Sequence, residues 1–378
     1  MSYIDKIITG VLVFPLIAAV VTFPYAIFQY HKYGSVSKFR TLVIYSFILY
    51  LLISYFQIML PLPARESTVG ETLKGHLNLI PFHQVWLYWK GRIWSTQELL
   101  KYLKSFSLWQ LLLNVVLTIP FGVYLRYYFK QDLKRTTLYS FLLSLFFELT
   151  QLTALYGIYP GPYRLADVED LICNTLGGVI GYGIAALFIR ILPDRDAIDR
   201  SSLIAGQTVS GMRRLWSALL DVAATAVLFV VASGAVTFAA PNAKTYTDYA
   251  WTYFLSWFCL FSLLQTLIGR GATLGHAICR MMLTSESGEK ATAWQLIRRY
   301  AVLWLCTEGP ILLGSYLTGG RFLSINETAA VVITVIARFY LILYVLNEIF
   351  RRGHIRMLHD KLSGTTYVST LTPQRAEE

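Results

Sequence analysis

Charge is scarce in this chain. Of its 378 residues, 15% are Asp, Glu, Lys or Arg and 55% are hydrophobic, and the mean hydropathy is +0.51. Water-soluble domains usually carry about 25% charged residues, so the scarcity excludes an ordinary soluble globule and makes the bilayer the expected solvent. Four cysteines, Cys173, Cys259, Cys279 and Cys306, form no C-x-x-C pair, so neither a zinc site nor a disulfide framework is expected. The six histidines are scattered, and His31, His354 and His359 lie in basic stretches, so no metal is assigned to them. No G-x-x-x-x-G-K-[ST], H-E-x-x-H or G-x-S-x-G occurs. That removes sequence support for ATP-driven transport within the chain, for a zincin and for an α/β-hydrolase site. No recognisable catalytic motif and no cofactor motif is present. MSYIDK lacks a basic n-region and no A-x-A-like site precedes Pro24, so the first apolar segment is expected to stay as an uncleaved membrane helix.

What the chain does have is long apolar runs. A helix needs about 20 mostly apolar residues to cross the hydrocarbon core. Nine segments meet that rule, at 7–28, 39–60, 107–125, 137–156, 171–191, 216–239, 251–268, 300–318 and 329–349. The expected fold class is therefore an all-α polytopic membrane helical bundle. Short loops rich in Lys and Arg stay in the cytoplasm. With the N-terminus outside, the inner loops hold 22 of the 33 basic residues, and every short outer loop holds one. The net charge of +11 then reflects topology, N-out and C-in, and no nucleic-acid partner is expected. The polar stretch PDRDAIDRSSLIAGQTVSG separates five helices from four. It divides the chain into a membrane domain at 1–192, a cytoplasmic linker at 193–212, a second membrane domain at 213–370 and a disordered tail at 371–378.

RLADVEDLICNTLGG, residues 164–178, places charges directly before the fifth apolar segment, at its outer mouth. Helical spacing puts Asp167, Asp170 and Asn174 on one face, with Arg164 preceding them, and turns Glu169 toward solvent. One alternative is that Asp167 or Asp170 simply caps the helix, because carboxylates suit a helix N-terminus. Glu148 and Gln151 lie in the outer half of the fourth segment, and exposing an ionisable group to lipid costs about 2.5–3.5 kcal/mol or more. The connection GIYPGPY is short, so segments four and five should be antiparallel neighbours, with Arg164 as a partner for Glu148. Gly177, Gly178, Gly181 and Gly183 are expected to pack against another helix. Asn78, in the long second loop, and Asn114, in the outer half of the third segment, can reach the same cluster. VWLYW at 85–89 reads equally as an interfacial anchor, and Pro120-Phe121-Gly122 as a bend. Glu148, Asp167 and Asp170 could hold a divalent ion through oxygen, but Arg164 competes for their charge.

The ordered motifs NLIPF (78–82), NVVLTIPFG (114–122), ELTQ (148–151) and RLADVEDLICNTLGG resemble the VanZ-like family over about residues 40–190. The resemblance implies a multi-pass bacterial envelope protein, of a type whose founding member is associated with lowered susceptibility to the glycopeptide teicoplanin. It implies a setting rather than a reaction. The matching residues are Asn78, Pro81, Phe82, Asn114, Pro120, Gly122, Glu148, Gln151, Arg164, Asp167, Asp170, Asn174 and Gly177.

In the second half, RRLWSALLD places Arg214 at the inner end of the sixth segment. Asp221 lies two turns further, about 10 Å into the bilayer on the same face. Together with LHDKLSGTTYV at 358–368, this is similar to the RDD family, named for one arginine and two aspartates, over roughly 205–370. Arg214, Asp221 and Asp360 match those positions, and GRGATLG resembles the family's glycine-threonine loop. His276 stands where many members have lysine, which puts any role of that lysine in doubt. The resemblance implies a part in transport without a defined substrate. Glu308 and Arg338 are further charges at membrane depth. An Arg338 pair with Glu308 or Asp221 that orients helices competes with a proton or cation pathway through all three.

Three function classes follow. The first is a cell-envelope factor whose outer polar site binds a lipid-linked cell-wall precursor or an envelope protein, with the lipid bilayer as constant partner. The second is a secondary transporter or cation/proton antiporter centred on Asp221. The third is an intramembrane enzyme using Glu148 as acid or base with Asp167 or Asp170 on a lipid-linked substrate.

Overall fold

The structure is a computed structural model that describes residues 2–92, 95–239, 254–309, 327–350 and 356–371. The expected tail, except Leu371, lies outside the described residues, as do the loop cations Lys244, Arg321, Arg351, Arg352 and Arg375.

Every apolar segment is helical over most of its described residues. The helices are α1 (Tyr3–Tyr33), α2 (Lys38–Met59), α5 (Phe106–Tyr127), α6 (Leu133–Leu152), α8 (Val168–Ile191), α10 (Gly211–Ala239), α11 (Phe254–Ile268), α13 (Ala293–Thr307) and α14 (Glu327–Phe350). Among the described residues, α1, α2, α5, α8 and α10 are long and apolar enough to cross a membrane. The fold is an all-α membrane bundle, with two two-stranded sheets among the described residues that hydropathy did not announce.

Helix ends follow hydrogen bonding rather than hydropathy. The expected 137–156 segment begins at Leu133, because Asp132 accepts the backbone N–H of Arg135 as an N-cap. It stops at Leu152, where the chain turns into the left-handed region at Ala154, Leu155 and Tyr156 in α7 (Ala154–Gly157). The expected 300–318 segment begins at Ala293, set by a capping box between Thr292 and Gln295.

The chain divides into two compact units, Met1–Val20 with Lys38–Ile198, and Val21–Ser37 with Asp199–Glu378. This differs from the boundary read from the sequence, because Ala26 and Tyr30 of α1 belong to the core formed by Leu220, Cys279 and Met281. The expected linker is also ordered. It forms α9 (Arg195–Ala205), and in the second unit the Tyr33 hydroxyl donates to Asp199 at 2.9 Å and the Ser35 hydroxyl to the Ser202 carbonyl at 2.7 Å.

In the first unit α5 and α8 are in backbone contact. A methyl group on Gly122 would lie 1.9 Å from the Gly178 carbonyl, and one on Gly181 would lie 2.0 Å from the Ile119 carbonyl. Only glycine permits that approach, so packing is the role of Gly177, Gly178 and Gly181. Gly183 faces open space instead. The strand β1 (Leu77–Asn78) pairs in parallel with β2 (Ala166–Asp167), registering Asn78 on Asp167. Two short helices, α3 (His83–Trp89) and α4 (Thr96–Leu103), follow β1. In the second unit, β3 (Met281–Ser285) pairs antiparallel with β4 (Thr365–Ser369), flanked by α12 (Leu274–Ile278) and α15 (Leu358–Ser363).

Candidate functional site

The first unit gathers six of the predicted polar residues at the N-terminus of α8. Asp167 is its N-cap, with Oδ1 accepting the Glu169 N–H at 2.9 Å. Both carboxylate oxygens also accept from Asn78 Nδ2 at 3.0 Å, and the Asp167 backbone N–H donates to Glu148 Oε2 at 3.0 Å. A second chain lies one turn deeper, where Asn114 Nδ2 donates to Asp170 Oδ1 at 2.6 Å. Asn174 Nδ2 donates to the Ser144 hydroxyl at 2.9 Å, and Ser144 donates to the Asp170 carbonyl at 3.2 Å. Thr118 ties α5 to the same place, donating to the Asn174 carbonyl at 2.8 Å. The capping alternative therefore holds for Asp167, while Asp170 is held by Asn114.

Arg164 and Gln151 are used differently from the expectation. The Arg164 guanidinium donates to the carbonyls of Ile58 at 2.5 Å and Leu60 at 3.0 Å, and Gln151 Nε2 donates to Ile58 at 3.2 Å. Both side chains satisfy the end of α2, where unpaired carbonyls and the negative end of the helix dipole favour a cation. Arg164 is thus not the ion-pair partner of Glu148. Among the described residues, no ion pair reaches Glu148, Asp167 or Asp170, and no three His, Cys, Asp or Glu side chains are placed to hold a metal ion.

Glu169 corrects the sequence reading outright. It is buried, at 2% exposure, instead of solvent-facing. Burial, and then the nearby charge of Glu169, raise the phenol of Tyr102 in α4. Phe82, in the NLIPF motif, adopts φ 55° and ψ 31° at the start of α3, a left-handed conformation rare for a bulky side chain.

In the second unit, Arg214 and Asp221 line a common cavity, as their shared face implied. Asp221 is buried and fully engaged: Oδ2 accepts from the Thr273 hydroxyl at 2.6 Å and Oδ1 from the Gly275 N–H at 2.8 Å. A methyl group on Gly275 would lie 2.2 Å from the Ser217 carbonyl and 2.9 Å from Asp221 Oδ1, so the glycine is what lets the loop reach the carboxylate. Asp360 lies in α15, where its side chain accepts the Met357 N–H at 3.3 Å. It is buried against the Arg299 guanidinium, which also donates to Thr365 at 2.9 Å and to the Tyr367 hydroxyl at 2.7 Å. Burial opposes the charged form of Asp360, but Arg299 outweighs it and holds the carboxyl below its ordinary value. Glu308 and Arg338 pair with each other at 3.0 Å. Asp221 stands apart from that pair, on its own hydrogen bonds to the α12 loop.

Arg213, Arg299, Ser144 and Thr118 were missed in the sequence. Arg213 is completely buried, donating to the carbonyls of Cys279 at 2.6 Å and Gly206 at 2.7 Å and to that of Arg280. In the pair Arg213-Arg214, charge alone does not reveal which side chain turns inward. Ser144 and Thr118 had a usable signal, since each lies four residues from a motif residue, Glu148 and Asn114, on the same helical face.

The VanZ/LLP1 family model matches residues 47–189, and the RDD family model matches residues 208–364. Neither a curated protein nor a solved structure matches the chain.

Proposed function

We propose, for a chain that is a VanZ-like region followed in tandem by an RDD region and a membrane protein of the cell envelope, that the cluster at the start of α8 is an extracytoplasmic binding site. Its ligand is an envelope component rich in hydrogen-bond donors, such as the hydroxyl and amide groups of a lipid-linked cell-wall precursor. The carrying observation is that Glu148, Asp167 and Asp170 converge with Asn78, Asn114 and Asn174, while Arg164 is committed to the carbonyls of Ile58 and Leu60. Carboxylates whose neighbours are amides and hydroxyls rather than guanidinium groups retain acceptor capacity for a ligand's donors. The loop-charge bias supports N-out, C-in, which puts this cluster on the side a glycopeptide reaches.

The topology is tested by labelling single cysteines in intact cells with a membrane-impermeant thiol reagent. Ile80→Cys should label from outside and Lys361→Cys only after lysis. The reverse pattern would place the cluster in the cytoplasm and remove the proposal.

A further inference from the structure

The second unit contains a cavity of about 280 Å³ that the outer cluster does not explain. Its lining includes apolar Leu215, Ala218, Val222, Leu303, Leu341 and Val345 and polar Arg214, Asp221, Ser262, His276 and Arg299, of which Arg214, His276 and Arg299 all pack on the Tyr367 ring. These polar groups differ in what they have left to offer. Both oxygens of Asp221 already accept, from Thr273 and Gly275, and Arg299 is neutralised by Asp360. His276 Nδ1 accepts the Thr273 N–H at 3.1 Å, so its remaining nitrogen, Nε2, carries the proton of the neutral ring and can donate.

Two polar atoms are unspent. Ser262 is 1% exposed, and its hydroxyl has no hydrogen-bond partner among the described residues. Arg214 Nε has none either, and its Nη1 lies 3.6 Å from Glu348 Oε1, longer than the 2.7–2.9 Å of a charge-assisted hydrogen bond. The Arg214 guanidinium is positioned against the Tyr367 ring, 4.6 Å from its centroid. The free capacity of the lining is therefore donor capacity with an incompletely neutralised guanidinium, in a cavity whose other side chains are mostly apolar.

We propose that this cavity binds an anionic amphiphile: a carboxylate or phosphate head held by Arg214, Ser262 and His276, with one apolar chain along Leu215, Ala218 and Val345. A guanidinium matches an oxyanion head. The volume of about 280 Å³ lies just below the roughly 300–1,000 Å³ of ligand pockets, and suits one chain rather than the two of a diacyl lipid. Glu348 limits the charge available from Arg214, so the carboxylate is expected to bind more tightly than the more highly charged phosphate monoester.

The test is native mass spectrometry of the full chain in a non-ionic detergent, titrated separately with oleate, oleoyl lysophosphatidate, oleyl alcohol and inorganic phosphate. Saturable one-to-one complexes with either anionic amphiphile, and none with the alcohol or with phosphate alone, are expected. Arg214→Gln should weaken the complex at least tenfold, and so should Ala218→Leu, which adds bulk to the cavity wall and keeps every charge. Equal retention of alcohol and oleate would show apolar partitioning only, and binding of phosphate alone would show a free-anion site. Either result overturns the proposal, as does an Ala218→Leu chain that melts like the original and binds oleate as tightly.

Discussion

The backbone N–H of Asp167 donates to the carboxylate of Glu148 at 3.0 Å, joining the start of α8 to the C-terminal half of α6. The Asp167 side chain meanwhile caps α8 and receives Asn78. Asp167→Ala should therefore lower stability by about 1–3 kcal/mol, combining a lost N-cap with an unpaired amide. Glu148→Gln keeps an acceptor for the same N–H and should stay within about 1 kcal/mol of the original chain. Thermal unfolding of the two variants in detergent checks the contrast.

Arg164→Ala should act on stability, by freeing the Ile58 and Leu60 carbonyls at the end of α2. A loss of about 1–3 kcal/mol is expected. Arg164→Lys should recover only part of it, because an ammonium cannot reproduce the two-pronged donation of the guanidinium. Melting temperatures in the order original, Lys, Ala are predicted; equal values for all three would contradict the capping role.

Adjacent arginines should differ in degree. Arg213 is fully buried on three carbonyls, so Arg213→Ala should destabilise by about 3–5 kcal/mol. Arg214, whose guanidinium lies 3.6 Å from the buried Glu348 carboxylate, should cost less, about 1–3 kcal/mol, when changed to Gln, which keeps a donor. Unfolding yields and melting of the two single variants separate them.

Acid should loosen the second unit before the first. Burial, and then the charge of Arg299, push His276 and His359 down to about 3 from an ordinary 6.5. Both rings are neutral in the folded chain and take up protons in the unfolded one below that ordinary value. Their contribution is complete above pH 6.5 and is lost as pH falls toward 3, at up to about 1.4 kcal/mol per pH unit each. Asp360, held low by Arg299, adds a loss in the same direction at lower pH. Melting curves of His276→Gln should show a shallower decline over that range.

The apolar periods of the chain made the helices legible, because each is long and bilayer burial tolerates few charges. Their ends were less so: Asp132 and Thr292 start α6 and α13 by capping, a short-range hydrogen bond that hydropathy windows average away. The grouping of Asp167, Asp170 and Asn174 followed from helical spacing and the structure keeps it. The route by which Asn78 arrives did not, since β1 and β2 are two residues each and carry no period. Glu169 was misplaced because a helical wheel knows one helix and not what packs against its other sides, where Glu169 is buried.

The central claim, that the α8 cluster is a functional binding site on the outer face, is tested most directly by teicoplanin susceptibility. The measurement is the minimal inhibitory concentration in a bacterial host expressing the original chain, Glu148→Gln or Asn114→Ala at equal membrane levels. The original chain should raise the concentration above the empty-vector value, and both variants should return it to that value. Protection by both variants equal to the original, at matched expression, would contradict the account.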